Sequence, residues 1–190
     1  MERAYKPTKK ELLAARDRPV PDVIAPNLRV LFCGINPGLY SGATGHHFAR
    51  PGNRFWPVLH RAGFTDRLLS PFEERELLKS GYGITNIVNR TTAGASELSL
   101  SELLEGAERL KKTVLTYKPQ IVAVLGVEAY RKAFGRRDAL LGRQEERIVD
   151  SVVWVLPNPS GLNAHYQLKD LAKLFEKLRK ASDAIDAVLR

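Results

Sequence analysis

The chain of 190 residues contains a single cysteine, Cys33. One cysteine excludes internal disulfides, a CxxC redox pair, a four-cysteine iron–sulfur cluster and a zinc site built on cysteine. No uninterrupted apolar run approaches the roughly 18 residues that a membrane helix needs. The first residues, MERAYKPTKKELLAARDRP, contain no apolar block of the kind found in secretory signals. We therefore expect a cytoplasmic protein with no membrane partner.

Acidic side chains are fewer than basic ones. The chain has 30 Lys and Arg against 21 Asp and Glu, which gives a formal net charge of +9. Such an excess favours a polyanionic partner, and nucleic acid is the first candidate for a folded domain. The alternative is a basic surface with no special partner. Apolar residues make up 44% of the chain, which excludes a wholly disordered protein.

Four short apolar runs, each rich in β-branched residues, predict strands that are buried on both faces. The predicted strands are 28–34, 84–88, 120–125 and 152–156. Helical spacing of apolar residues predicts helices at 53–61, 71–80, 99–117, 127–134 and 167–189, and the Gly-rich stretch 40–52 predicts an ordered loop. Strands alternating with helices predict an α/β fold around a mostly parallel, four-stranded sheet.

The first 26 residues contain four prolines and one short helical pattern around 9–16. Because proline interrupts helices, we interpret residues 1–26 as a partly ordered N-terminal tail. Residues 27–190 are then predicted to form a single domain.

Two turns stand out at the ends of predicted strands. GINPG (34–38) follows the first strand, and PNPSGL (157–162) follows the last. Ligands of open α/β sheets bind at the carboxyl ends of the strands, so both turns are expected at one crevice. Neither turn is a GxGxxG or GxxxxGK[ST] phosphate loop, which argues against a flavodoxin-like nucleotide-binding protein, the first alternative.

Three sequence blocks carry a resemblance to a known family. They are VLFCGINPGLYSGATGHHFARPGNRFW (30–56), YGITNIVNRTT (82–92) and WVLPNPSGLNAHY (154–166). In order and spacing they resemble the mismatch-specific uracil and thymine DNA glycosylases of the uracil-DNA glycosylase superfamily. The likeness runs from about residue 22 to the end of the chain.

That resemblance implies a three-layer α/β/α sandwich that flips a base out of duplex DNA and hydrolyses its N-glycosidic bond, with no metal and no cofactor. The implied partner is double-stranded DNA with G:U or G:T mismatches. It further implies a monomer in the cytoplasm, associated with the nucleoid if the source is bacterial. A non-catalytic nucleic-acid-binding module of the same fold is the second alternative.

The same resemblance assigns roles to residues of the base pocket. Asn36 matches the catalytic residue that positions the attacking water, and Phe48 matches the aromatic residue that stacks on the flipped base. Backbone N–H groups around Ile35 and Phe48 are implied as donors to the uracil carbonyls. Ser41 stands beside the position of a thymine methyl, and Asn158 is counted with the base pocket. We expect Ser41 to favour uracil over thymine, because its buried hydroxyl would lack a partner beside a methyl group.

The second turn is implied to enter the duplex. Leu162 would fill the hole left by the flipped base, and Asn163 would read the unpaired guanine. Ser160 and Gly161 supply donors that can hold phosphate. Ala164 stands where some bacterial relatives have an arginine, and that difference puts the grip on DNA in question.

Other polar residues of the three blocks carry weaker signals. His46 and His47 could suggest a metal, but adjacent histidines point in different directions and no carboxylate lies at ligand spacing, so we expect pocket lining or a phosphate contact. Asn89 stands where relatives often have a carboxylate. No lysine lies near either turn, so a second, lyase activity is not predicted.

Overall fold

The structure is a computed structural model that describes residues 5–189. Its strands are β1 (Val30–Gly34), β2 (Tyr82–Asn86), β3 (Ile121–Leu125), β4 (Gly142–Ile148) and β5 (Ser151–Leu156). Its α-helices are α1 (Lys9–Ala14), α2 (Leu39–Thr44), α3 (Phe55–Arg61), α4 (Leu100–Tyr117), α5 (Val127–Phe134) and α6 (Leu168–Leu189), and two 3-10 helices span Pro71–Ser80 and Ala95–Glu97.

The strands form one sheet in the order β2-β1-β3-β5-β4. The first four of these run parallel, which confirms the predicted α/β fold and its four buried strands. The fifth strand, β4, was not predicted and pairs antiparallel with β5 at the edge of the sheet. Its sequence, GRQEERI, is mostly exposed, so it lacks the apolar run or alternation by which the other strands were recognised.

Helices cover both faces of the sheet because its side chains alternate between two cores. Val30, Phe32 and Ala123 pack on one face with residues of α3 and α6. Cys33 and Val124 pack on the other face with residues of α4 and α5. The predicted capping box of α4 is confirmed, since Ser99 Oγ accepts from the Glu102 N–H at 3.2 Å.

Of two local predictions beside the sheet, one was wrong and one was confirmed. The predicted loop 40–52 was wrong over residues 40–44, which belong to α2; this helix starts after Gly38 and ends at Gly45 in the left-handed conformation that glycine favours. Residues 71–80, predicted as a helix, do form one with the same bounds; it is a 3-10 helix in which Glu73 has non-helical backbone angles.

The N-terminal segment packs on the body where the structure describes it. Ala15, Val20 and Val23 are buried, and Val23 forms a β-bridge with Ile84 of β2. Residues 1–4 and 190 of the predicted tail and domain lie outside the described residues, and the division at residue 26 stays a prediction. No helix within 5–189 is long and apolar enough to cross a membrane.

Candidate active site

A cavity of about 180 Å³ lies at the carboxyl ends of β1, β2 and β5. It is bordered by the turn after β1, the segment before α3, the residues after β2 and the turn after β5. Of the nine predicted site residues, seven line this cavity: Ile35, Asn36, Ser41, Phe48, Asn158, Ser160 and Leu162. Gly161 and Asn163 lie outside the cavity, in the same turn as Leu162. The two turns singled out in the sequence therefore do meet at one crevice.

Asn36 is held by donor bonds that fix the orientation of its amide. Its Nδ2 has two protons and lies within donor distance of three acceptors, Pro37 O at 3.1 Å, Arg90 O at 3.0 Å and Thr92 Oγ1 at 2.7 Å, so one proton is shared. The direction of the last bond is determined, because Thr92 gives its own hydroxyl proton to Gly94 O. All hydrogen bonds of this side chain within the described residues use Nδ2, so Oδ1 keeps its capacity to accept a hydrogen bond.

Phe48 presents an aromatic ring to the cavity from an uncommon backbone conformation. Its φ is +53°, a left-handed value that costs energy for a non-glycine residue. The ring stacks on buried Phe55 with centroids 4.0 Å apart and an interplanar angle of 24°. Gly34 leaves room for it, because a Cβ there would lie 3.3 Å from Phe48 Cζ.

Ser41 is buried in α2 and has a hydrogen-bond partner. Its Oγ accepts from the Ala49 N–H at 3.2 Å, and only 5% of the residue is exposed. The expectation that this hydroxyl lacks a partner was therefore wrong for its oxygen, whereas its O–H proton has no acceptor among the described residues. Ser41 still borders the cavity, so its volume remains available to oppose a methyl group.

Asn86 is a cavity residue that the sequence reasoning missed. It is the last residue of β2, it is 2% exposed, and its Nδ2 lies 3.3 Å from His47 Nδ1. His47 Nε2 lies 2.9 Å from Pro21 O and must donate there, so His47 Nδ1 accepts from Asn86. Asn86 Oδ1 then points toward Gly34, where an added Cβ would lie 2.5 Å from it. The signal that could have identified Asn86 is an amide side chain at the end of β2, the strand that pairs with β1 before GINPG.

Burial favours the neutral form of His47. Removal from water lowers the pKa of the buried His47 imidazole below its ordinary value, which favours the neutral form. The neutral tautomer with its proton on Nε2 is the one that can accept from Asn86. The predicted pocket-lining role of His47 agrees with its position in the cavity wall.

Glu74 is the second group that sequence reasoning missed. This buried carboxylate accepts from the His47 N–H at 2.8 Å and lies 2.9 Å from His46 Nδ1. No carboxylate lies at ligand spacing in the sequence, and Glu74 reaches the histidines only through the fold, from the 3-10 helix 27 residues further along. Within residues 5–189, no three His, Cys, Asp or Glu side chains form a group that could hold a metal ion.

The turn after β5 is built by its own asparagines and serine. Asn158 Oδ1 accepts from the Ser160 N–H at 2.9 Å, and Asn163 Nδ2 donates to Asn158 O at 3.0 Å. Ser160 Oγ accepts from the Leu162 N–H at 3.3 Å. Leu162 lies in the same turn with 73% of its surface exposed, so its apolar side chain is free to contact a partner.

Two residues near the predicted site do not face the cavity. Asn89 does not line it, and its buried Oδ1 has no hydrogen-bond partner among the described residues. Arg90 pairs instead with Glu102 at 2.7 Å and Asp17 at 2.9 Å, which turns its charge away. Its contribution to the site is its backbone oxygen, which accepts from Asn36.

Comparisons with known proteins identify the family and the fold. The family model described as the uracil DNA glycosylase superfamily matches residues 21–180. The solution NMR structure of a proposed uracil DNA glycosylase from Methanosarcina acetivorans is similar, with a TM-score of 0.57 and 21% sequence identity. The match covers 86% of this chain and 98% of that chain, and at this identity it shows a shared fold.

Proposed function

The chain belongs to the uracil DNA glycosylase superfamily, and we propose that it is a repair enzyme that removes uracil opposite guanine from duplex DNA. It flips the nucleotide out, hydrolyses the N-glycosidic bond and leaves an abasic site. The observation that carries the proposal is the fixed amide of Asn36 in the wall of a cavity that also presents Phe48 and Asn86.

The cavity offers a flipped pyrimidine both stacking and hydrogen bonding. Phe48, backed by Phe55, supplies an aromatic face for the base. Asn86 Oδ1 suits the N3–H of uracil or thymine, and His47 keeps the amide in that orientation. Cytosine has an acceptor at N3, so the same orientation opposes it. The arrangement therefore supports selection of a base that carries an N3–H.

Asn36 provides for the attack of water at the sugar. Its Oδ1 accepts a hydrogen bond from a water molecule and orients it, while Nδ2 remains bound to the protein. An amide cannot ionise, so Asn36 orients the water molecule and does not act as a general base. The bond breaks toward a cationic sugar and an anionic base, and donors on the base carbonyls stabilise the developing negative charge. We therefore propose a slow, monofunctional hydrolysis with no lyase step.

Preference for uracil over thymine is assigned to Ser41. Its side chain borders the cavity and is fixed by the Ala49 N–H, so it cannot rotate away freely from a thymine methyl. When two substrates differ by one methyl group, a pocket can distinguish their transition states by about 1–3 kcal/mol. Ser41→Ala is expected to narrow the rate difference between uracil and thymine. An unchanged ratio would assign the rejection of thymine to another residue.

Duplex DNA with a G:U mismatch is the proposed partner, with G:T as a poorer substrate. Leu162 is the proposed wedge, because it is exposed and apolar beside the cavity. Asn163 is proposed to read the guanine left unpaired, and Ser160 and Gly161 to hold phosphate. We further propose that the protein works as a monomer in the cytoplasm.

The test uses labelled duplexes with uracil or thymine opposite guanine or adenine, followed by alkaline cleavage of abasic sites. We expect cleavage at uracil opposite guanine, less at thymine, and the same activity in a chelator. A lack of product on every duplex would contradict the proposal. Activity that disappears in a chelator and returns with zinc or magnesium would contradict its metal-free chemistry.

A further inference from the structure

Arg54 is a half-buried arginine that precedes α3 and reaches the turn after β5. Its guanidinium donates to carbonyl oxygens on both sides of Leu162. Nη2 donates to Asn163 O at 2.9 Å and to Ser160 O, Nη1 donates to Tyr166 O, and Nε donates to Pro159 O at 3.4 Å. The Arg54 backbone N–H also donates to Pro159 O, at 3.0 Å. One side chain thus connects four carbonyls of an eight-residue segment, 159–166.

These carbonyls take the place that a carboxylate usually has beside arginine. No ion pair of Arg54 occurs among the described residues, whereas Arg29, Arg90 and Arg179 each pair with acidic side chains. A planar guanidinium with five N–H donors can satisfy several carbonyls at fixed angles, and an ammonium group cannot. The hydrogen bonds of Arg54 therefore fix the backbone conformation of the turn.

A second contact fixes the same turn against the segment before α3. A Cβ on Gly161 would lie 2.5 Å from Gly52 O, so the two backbones are in direct contact. Leu162 follows this contact and remains 73% exposed. The bonds of Arg54 and the contact at Gly161 act on the backbone that carries Leu162, and neither involves the leucine side chain.

We propose that Arg54 is a positioning residue for entry of the turn into duplex DNA. This inference rests on the proposed function, in which Leu162 replaces the flipped base. Arg54 holds segment 159–166 in the form that presents Leu162 before DNA arrives, so less conformational entropy is lost on binding. Arg54 does not touch the reacting atoms and acts through Leu162.

The variant Arg54→Lys keeps the positive charge and loses the fork of donors. We expect it to lower single-turnover excision from a G:U duplex by about 10–100-fold at subsaturating enzyme. We expect a loss of less than about threefold on single-stranded uracil DNA, where no stacked base has to be replaced. The matched control is Arg179→Lys, since Arg179 also donates to a backbone oxygen, Ala62 O at 2.8 Å, away from the turn.

A double-mutant cycle with Leu162→Ala separates positioning from general stability. If Arg54 acts through Leu162, Arg54→Lys changes duplex excision by less than about threefold when residue 162 is already alanine. Equal losses on duplex and single-stranded substrates, or multiplicative effects of the two substitutions, would overturn the proposal. A variant that fails to fold loses activity on both substrates and also counts against it.

The wild-type protein in the same assay tests the proposed function independently. If wild type releases no uracil from either substrate, the proposed function fails. If wild type is active and the cycle shows independent effects, only the role of Arg54 fails. Thermal denaturation of each variant accompanies the rates, and the expected midpoint of Arg54→Lys lies close to that of Arg179→Lys.

Discussion

Gly34→Ala adds one methyl group to the wall of the proposed base pocket. The new Cβ would lie 2.5 Å from Asn86 Oδ1 and 3.3 Å from Phe48 Cζ. Gly34 does not have a positive φ, so the backbone tolerates alanine and the effect comes from space alone. Non-bonded carbon contacts are optimal at about 3.5–4.0 Å, so the Asn86 amide has to retreat by roughly 1 Å.

The expected cost is larger in rate than in stability. Overpacking a core position destabilises a protein by about 1–3 kcal/mol. A misplacement of about 1 Å in a positioning group can reduce the rate about 10²-fold. In the wild-type protein, Asn86 Nδ2 lies 3.3 Å from His47 Nδ1, and the displaced amide would lose this alignment. We therefore expect Gly34→Ala to remain folded and to excise uracil about 10–100-fold more slowly than wild type.

The matched control is Gly38→Ala in the same turn, where an added Cβ meets nothing within 4 Å. Single-turnover excision of uracil opposite guanine is measured for both variants and for Asn86→Ala. The double variant Gly34→Ala/Asn86→Ala should be no slower than the slower single variant, because both act on one amide. A folded Gly34→Ala protein with a rate within about threefold of wild type would refute the reasoning about Asn86.

Three further predictions address the wedge, the charge and the buried histidine. Leu162→Ala should weaken excision from a stable duplex more than from a single strand, and equal losses would contradict a wedge. Arg50 is exposed beside the cavity and Leu162 and has no acidic partner within residues 5–189. Arg50→Ala should therefore reduce the slope of log affinity against log salt by about 1, and an unchanged slope would exclude a phosphate contact. Burial lowers the pKa of His47, so below about pH 6.5 the unfolded chain binds more protons than the folded one. The free energy of unfolding, measured by urea titration at each pH, should then fall as pH drops from about 7.5 to 5.5, and His47→Gln should reduce this fall; an equal fall in wild type and variant would contradict the prediction.

The sequence predicted the parts of the fold that are marked by unbroken apolar runs. The four parallel strands were found because their residues are buried on both faces. Strand β4 lies at the sheet edge and pairs only with β5, so its side chains stay largely exposed. It was missed because charged residues replace the apolar run that marks the other strands. Helix α2, LYSGAT, has only six residues and contains glycine, so its sequence resembles a loop.

In the candidate site, residues in local sequence motifs were predicted, and residues whose roles depend on distant contacts were not. The two turns and their asparagines were recognised from local sequence, and the structure brings Asn36 and Asn158 to one cavity. Asn86, Glu74 and Arg54 were missed because their partners are distant in the chain and their roles depend on which atoms face each other. The partner of Ser41, the Ala49 N–H, depends likewise on the fold of α2 and the segment that follows.

The central claim is that Asn36 positions water for hydrolysis at a base flipped into this cavity. Single-turnover release of uracil from a G:U duplex, compared between wild type and Asn36→Ala at saturating enzyme, tests it most directly. Positioning and general-base contributions are typically worth about 10²–10⁴ in rate, and we expect a loss in this range with duplex affinity retained. An Asn36→Ala rate within about threefold of wild type would contradict the claim and remove Asn36 from the mechanism.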